Sequence, residues 1–147
     1  MPDAELETLS LDDCLAMLRS HGIGRVAVVD NDFPVILPVN YRLVETSGKS
    51  WIALRTRPGN VLDRAAMPVA FEIDHFDISA QEGWSVLARG TLHHVNPVAG
   101  GFGERFDPGP WLDDERDAWL IIEPFSITGR RLRSPQAHWA FRVEGYI

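Results

Sequence analysis

Two prolines inside one apolar run restrict this chain more than any other feature. Pro34 and Pro38 fall within Phe33 to Val44 (FPVILPVNYRLV), which otherwise reads as a strand. Proline has no N–H to give to a sheet ladder. The N side of each must therefore face a bulge, an edge or something other than a neighbouring strand.

The flanking sequence supplies the rest of a sheet. Ile23 to Asp30 (IGRVAVVD) is short, β-branched and apolar, and Asn31 with Asp32 makes a turn into the proline-bearing run. A polar turn, ETSGKS, leads to Trp51–Thr56 (WIALRT). Strands joined this closely pair as antiparallel neighbours. PVAFEIDHFD alternates Val69, Phe71 and Ile73 with Ala70, Glu72 and Asp74 as a fourth strand. GWSVLARGTLHHV is a fifth, and Gly90 inside it signals a bulge or barrel corner. Ala118 to Glu123 and Ser126 to Leu132 are the last strands.

Helix is scarce. Ser10 caps a helix that places Leu11, Cys14, Leu15 and Leu18 on one face, with Asp13 in a capping-box position. Gly22 suits a left-handed residue past its end. Asn60 is expected to cap a short helix that carries Asp63 and stops at Pro68. Pro97 to Pro110 reads as a loop around a broken helix at Val98 to Phe106. Six or seven antiparallel strands with so few helices favour closure into a small barrel, which removes exposed edges.

Length and composition fit one soluble domain over residues 1–133. The apolar tail 134–147, with Trp139, Phe141, Tyr146 and Ile147, is expected to dock on the domain or on a partner copy. A net charge of -7 argues against a nucleic-acid-coating surface. Cys14 is alone, so no intrachain disulfide can form and a reducing cytoplasm is the simplest compartment. No apolar run approaches the roughly 20 residues of a membrane span. The acidic N-terminus lacks the apolar segment of a signal peptide.

The strongest chemical signal is RTRPGN. Arg55 and Arg57 lie two apart at a strand end and share a face. Thr56 and Asn60 offer side-chain hydrogen bonds, Gly59 lets an anion approach the backbone, and a helix starting after Asn60 adds a favourable dipole. Together these suit a phosphate; the alternative is a plain turn with two solvated arginines. Other constellations are weaker. His93 and His94 are adjacent on a strand, so they point to opposite faces and cannot jointly hold a metal. Asp74, His75 and Asp77 read as solvated strand-end groups. No G-x-S-x-G elbow, HExxH or P-loop is present.

GRVAVVDNDFPVILPVNY, LRTRPGN, PVAFEIDHFD, GWSVLARG and then ITGRRL, in that order, resemble the pyridoxamine 5′-phosphate oxidase-like family, specifically its short flavin-nucleotide-binding branch. The resemblance runs from about Leu9 to Leu132. It implies an FMN-binding split β-barrel, a homodimer with two cofactor sites at its interface, and FMN as cofactor. Hydride transfer at the flavin N5 to or from a small organic substrate would be the chemistry, with no essential protein acid or base. Arg55, Thr56, Arg57 and Asn60 would hold the phosphate. Pro38, Val39, Asn40, Tyr41, Trp84 and Ser85 would frame the ring, and a residue without N–H at Pro38 leaves room for it. Trp119 and Arg130 would come from the other subunit, with Arg131, Trp111 and Trp139 as alternatives. Relatives commonly place a lysine just after the PG turn, whereas this chain has Asn60 and Val61. The grip then falls on Arg55, Arg57 and Arg64, and the deazaflavin F420, or no cofactor, stays open. A non-catalytic carrier or sensor of flavin, deazaflavin or haem is the second reading. True pyridoxamine phosphate oxidation ranks lower, because a second phosphate needs another cationic cluster. Substrate choice is expected from the loops at 76–83 and 98–111.

Overall fold

The computed structural model describes residues 4–109 and 118–134. Strand β1 (Glu5–Thr8) precedes helix α1 (Leu11–Ser20). Then come β2 (Ile23–Asp30), β3 (Phe33–Thr46), β4 (Lys49–Thr56), β5 (Met67–Asp77) and β6 (Glu82–His94). A short 3-10 turn, Ala99–Gly101, runs into α2 (Phe102–Phe106), and β7 (Ala118–Arg133) follows. All pairings are antiparallel, in the order β1-β7-β4-β3-β2-β5-β6, and β6 pairs again with β7. That last pairing closes a ring of six strands, with β1 added outside it. The expected split barrel is what forms.

Closure depends on one exchange of partners. The first half of β3 pairs with β2, ending at Ile23↔Asn40. The second half pairs with β4, beginning at Tyr41↔Leu54. The Tyr41 N–H donates to the Gly22 carbonyl at 3.0 Å. Antiparallel pairs alternate between hydrogen-bonded and not. Positions 33, 35, 37 and 39 therefore bond to β2, while 34, 36, 38 and 40 turn their backbone to the other side. Both prolines occupy these outward-turned positions, on an edge that carries no strand among the described residues. Their missing N–H groups cost the β2–β3 ladder nothing.

The barrel interior follows from alternation. Val26 and Val28, Tyr41, Ile52 and Leu54, Phe71 and Ile73, Val86 and Ala88, and Leu120 and Ile122 form one core. Helix α1 plugs one side of it with buried Cys14 and Leu18. A Cβ at Gly129 would lie 2.6 Å from the Cys14 sulfur, so glycine is what lets the helix sit this close to β7. Ser10 caps α1 as expected, its hydroxyl accepting the Asp13 N–H at 3.1 Å. The other end departs from expectation. Gly22 is not left-handed; His21 closes the helix in an extended conformation, its Nδ1 donating to the Met17 carbonyl at 2.7 Å. With that carbonyl satisfied by a side chain, no left-handed residue is needed.

Three further elements differ from the sequence reading. Residues 61–66 form turns and bends rather than a helix, and Pro68 lies inside β5 instead of ending one. The two last strands are one, β7. Arg89 pairs with Ser126 and Gly90 with Pro124, so Phe125 is the extra residue of a bulge. A Cβ on Gly90 would stand 2.2 Å from the Glu123 carbonyl oxygen, which explains the glycine. Strand β1 was unforeseen: Glu5, Glu7 and Thr8 pair across from Arg133, Arg131 and Arg130. The Glu7–Arg133 ion pair, 3.2 Å, shows what recruits it. The 134–147 tail lies, after Ser134, outside the described residues.

On the outer face, Arg25 of β2 reaches both oxygens of Asp74 on β5, at 2.8 and 2.9 Å. Glu72 stands beside them, its Oε1 buried without a hydrogen bond and 3.7 Å from the Arg25 Nη1. Burial, then hydrogen bonding to Asp74, push the Glu72 carboxyl up from 4.5 to about 7, against the opposing pull of Arg25.

Two outcomes follow for stability. Replacing Gly90 by alanine forces backbone out of register and is expected to cost about 2 kcal/mol or more, read as a lower urea midpoint. Glu72 has a raised folded-state pKa, so its contribution is full below pH 4.5 and lost as pH rises to about 7. Urea midpoints of the wild type should fall across that window, and Glu72→Gln should flatten the slope; an unchanged slope rules Glu72 out as its source.

Candidate functional site

The end of β4 builds the centre of the site. Ile52, Leu54 and Thr56 point inward and are buried, which turns Ala53 and Arg55 outward. Arg55 pairs with Trp119 across β4 and β7. Its guanidinium carbon sits 4.8 Å from the centre of the Trp119 ring, within cation–π range. Its side chain keeps only 20% exposure. Helix α2 braces this pair from outside: Phe102 meets the Trp119 ring edge-on at 6.5 Å. Phe102 and Phe106 pack with Val44, Ala53 and Ile121 as a second small core. The Asp107 carboxylate, just past α2, contacts the Arg55 Nη1 at 3.1 and 3.3 Å.

The RPGN turn is wound upon itself. Asn60 Oδ1 accepts the Leu62 N–H at 3.0 Å, a cap on a turn rather than on a helix. Gly59 is left-handed, with φ 83°, and its N–H donates to Asp63 Oδ2 at 2.7 Å. Asp63 Oδ1 takes His94 Nε2 at 2.5 Å. The His94 bond, then the Gly59 N–H, hold the Asp63 carboxyl below its usual range. The backbone donor expected for an anion is thus engaged by Asp63, and no helix dipole lies here. Arg64 is engaged too, with Asp30 at the far end of β2. Thr56 is buried at 3% exposure. Arg55, paired with Asp107, and Arg57 are the other cations of this corner.

Alternation divides the four residues expected beneath a ring. Pro38 and Asn40 face outward; Val39 and Tyr41 face the core. The Tyr41 ring stands edge-on to Phe71 at 4.9 Å, and its hydroxyl donates to the Leu18 carbonyl at 2.7 Å. A buried hydroxyl without a partner costs about 1–3 kcal/mol, and this bond offsets that cost. Burial pushes the phenol pKa well up. Tyr41 therefore serves the barrel interior. Trp84 also packs against the core, with the His21 ring 4.9 Å from its own.

Ser85 and Arg130 lie outward and opposite one another on β6 and β7. Asp74 is the partner of Ser85 on β5. Continuing the β2–β5 register two steps past Arg25↔Glu72 sets Ile23 beside Asp74, and Ile23 pairs with Asn40. Asn40, Ile23, Asp74, Ser85 and Arg130 thus form one row across four strand spacings, about 19 Å. Trp119 is elsewhere: eleven residues of β7 separate it from Arg130, roughly 35 Å of strand path. A cleft of about 400 Å³ lies at the Asn40 end of the row, with His21, Gly22 and Ile23 on one side and Pro108 and Gly109 on the other. Sequence reading missed Asp107, His21 and Ile23; no local pattern marks them, since each is brought in by strand or loop pairing. Trp111 and Trp139 lie outside the described residues.

Among the described residues no three His, Cys, Asp or Glu side chains cluster as metal ligands. His93 lies 3.5 Å from Glu123 and His94 bonds Asp63, on opposite faces as expected. No described helix is long and apolar enough to cross a membrane.

Known proteins resemble this chain in sequence and in fold. An uncharacterized protein of Mycobacterium tuberculosis is 28% identical over 136 residues, covering 87% of this chain and 86% of its own. An FAD binding protein from Mycobacterium smegmatis is 28% identical, with a TM-score of 0.64 over 88% of this chain and 100% of that one. A conserved protein of unknown function from Corynebacterium diphtheriae is 27% identical, with a TM-score of 0.69 over 85% and 96%. The family model described as pyridoxamine 5′-phosphate oxidase matches residues 10–131, and the chain belongs to that family.

Proposed function

We propose that this protein binds a flavin nucleotide and uses it to reduce or oxidise a small organic substrate. The observation that carries this reading is the Arg55 guanidinium, enclosed to 20% exposure and stacked on Trp119 beside the open edge of β3. A planar guanidinium on a rigid support suits a phosphate, whose oxygens take paired charge-assisted bonds. The edge of β3 offers carbonyl groups at Pro34, Ile36 and Pro38 in place of a strand ladder, which suits the polar rim of a planar ring. The FAD-binding relative from Mycobacterium smegmatis supports the same ligand class.

When bound, a flavin supplies hydride transfer at N5. The chain's own part is positional. Arg55 and Arg57 hold negative charge, Asn40 offers an amide to the ring, and Trp119 with Phe102 keeps water from the guanidinium. FMN is the smallest ligand with these features, and a deazaflavin nucleotide shares them.

A homodimer completes the site in this reading. Val29, Phe33 and Ile36 on the β2–β3 hairpin are 65%, 73% and 66% exposed, an apolar face suited to a second copy. Trp119 and Arg130 lie too far apart along β7 to serve one ring from one protomer, so a partner supplies one of them. The buried lone thiol of Cys14 fits a reducing cytoplasm. The second reading, a flavin carrier or sensor, uses the same residues and differs only in turnover.

Purified protein should be yellow, or should quench added FMN fluorescence at micromolar concentration. Arg55→Met should weaken that binding about tenfold or more. Reduction of the bound flavin by NAD(P)H and reoxidation by an acceptor would favour catalysis over storage. A colourless protein that leaves FMN fluorescence unchanged overturns the flavin assignment.

A further inference from the structure

We propose that the mouth of the barrel at the β5–β6 hairpin is a second binding site, for a small aromatic monocarboxylate. It does not depend on the flavin reading.

Strand parity builds the site. Ile73, Val86 and Gly129 form one inward-facing layer across β5, β6 and β7, against the core and helix α1. Side chains two apart on a strand share a face, so His75, Trp84 and Arg131 form the next inward layer. Trp84 stands between the other two, paired with His75 on β5 and with Arg131 on β7. Arg130 turns the other way, to the outer row shared with Ser85. Asp77 and Glu82, paired with each other, rim the opening together with Arg133. These residues line a cavity of about 320 Å³, the size of a small-molecule pocket.

Its floor is aromatic and its deepest charge is unspent. Trp84 packs against the core, and the His21 ring meets it edge-on at 4.9 Å. The indole therefore offers a fixed apolar surface to an aromatic ligand. Arg131 is half-buried and makes no hydrogen bond or ion pair among the described residues. Glu7, its cross-strand neighbour on β1, is engaged by Arg133 at 3.2 Å instead. A partly desolvated, unpaired guanidinium is stabilised by an anion, and a carboxylate matches its fork with two parallel hydrogen bonds.

The rim limits the charge of that anion. Asp77 is held in place, its Oδ1 accepting the Ala80 N–H at 3.0 Å. Around the cavity Asp77 and Glu82 offset Arg131 and Arg133. A single negative charge set deep at Arg131 meets attraction first, whereas a further charge nearer the entrance meets the two carboxylates. An apolar body on Trp84 and one carboxylate at Arg131 describe the ligand class.

The test is NMR titration of the full chain with benzoate, benzamide and inorganic phosphate, followed at the Trp84 indole N–H. Benzoate should shift that resonance and bind with a dissociation constant of about 1 mM or tighter. Benzamide keeps the ring without the charge, and phosphate keeps charge without the ring. Each should bind about tenfold more weakly than benzoate. Arg131→Gln should weaken benzoate about tenfold, whereas Arg42→Gln, at an exposed position of β3, should leave it unchanged. Absence of benzoate binding, equal binding of benzoate and benzamide, or a benzoate response that spares the Trp84 indole would overturn the proposal. All three are read on the wild type, so the outcome stands even where a variant fails to fold.

Discussion

β3 changes partner between Asn40 and Tyr41, and the rest of the molecule depends on that exchange. A strand that paired with β2 and β4 along its whole length would bury both edges. Because the β4 ladder starts only at Tyr41, the first half of β3 keeps one edge open. Pro34 and Pro38 keep it open, since a residue without N–H cannot complete a ladder there. The end of β4, released from β3, still pairs with β7 through Arg55 and Thr56. An enclosed cation and an open strand edge are thereby set side by side.

Charge decides what that corner can hold. Arg55 is enclosed between the Trp119 ring and the Asp107 carboxylate, and such enclosure strengthens a bond to an anion by excluding water. Asp107 tempers it. Asp63 meanwhile takes the two donors around it, the Gly59 N–H and His94, and so fixes the RPGN turn in shape rather than offering it as an anion cradle. The corner is therefore a shaped, moderately charged clasp rather than a strongly basic one, in keeping with an acidic chain of net charge -7.

Much of the fold was legible because its signals are local. The prolines in β3, the glycine in β6 and the serine cap of α1 each state a backbone requirement that the structure meets. What was not legible depends on distant pairing. The helix expected after Asn60 is absent because Asp63 is drawn to Gly59 and to His94, thirty-one residues away, instead of capping a first turn. β1 needs the arginines at the far end of β7 before its glutamates mean anything. In the candidate site, strand parity leaves Arg55 and Asn40 facing outward and turns the side chains of Tyr41 and Trp84 to the core. Asp107 lies fifty-two residues from the guanidinium it touches, and no spacing rule reaches that far.

The account stands most directly on where a flavin lies in a crystal structure of the protein grown with one. It predicts the ligand's phosphate in hydrogen-bond distance of the Arg55 guanidinium and the ring along the open edge of β3 beside Asn40. A ring bound elsewhere, or an edge of β3 filled by protein side chains with flavin in excess, would contradict it.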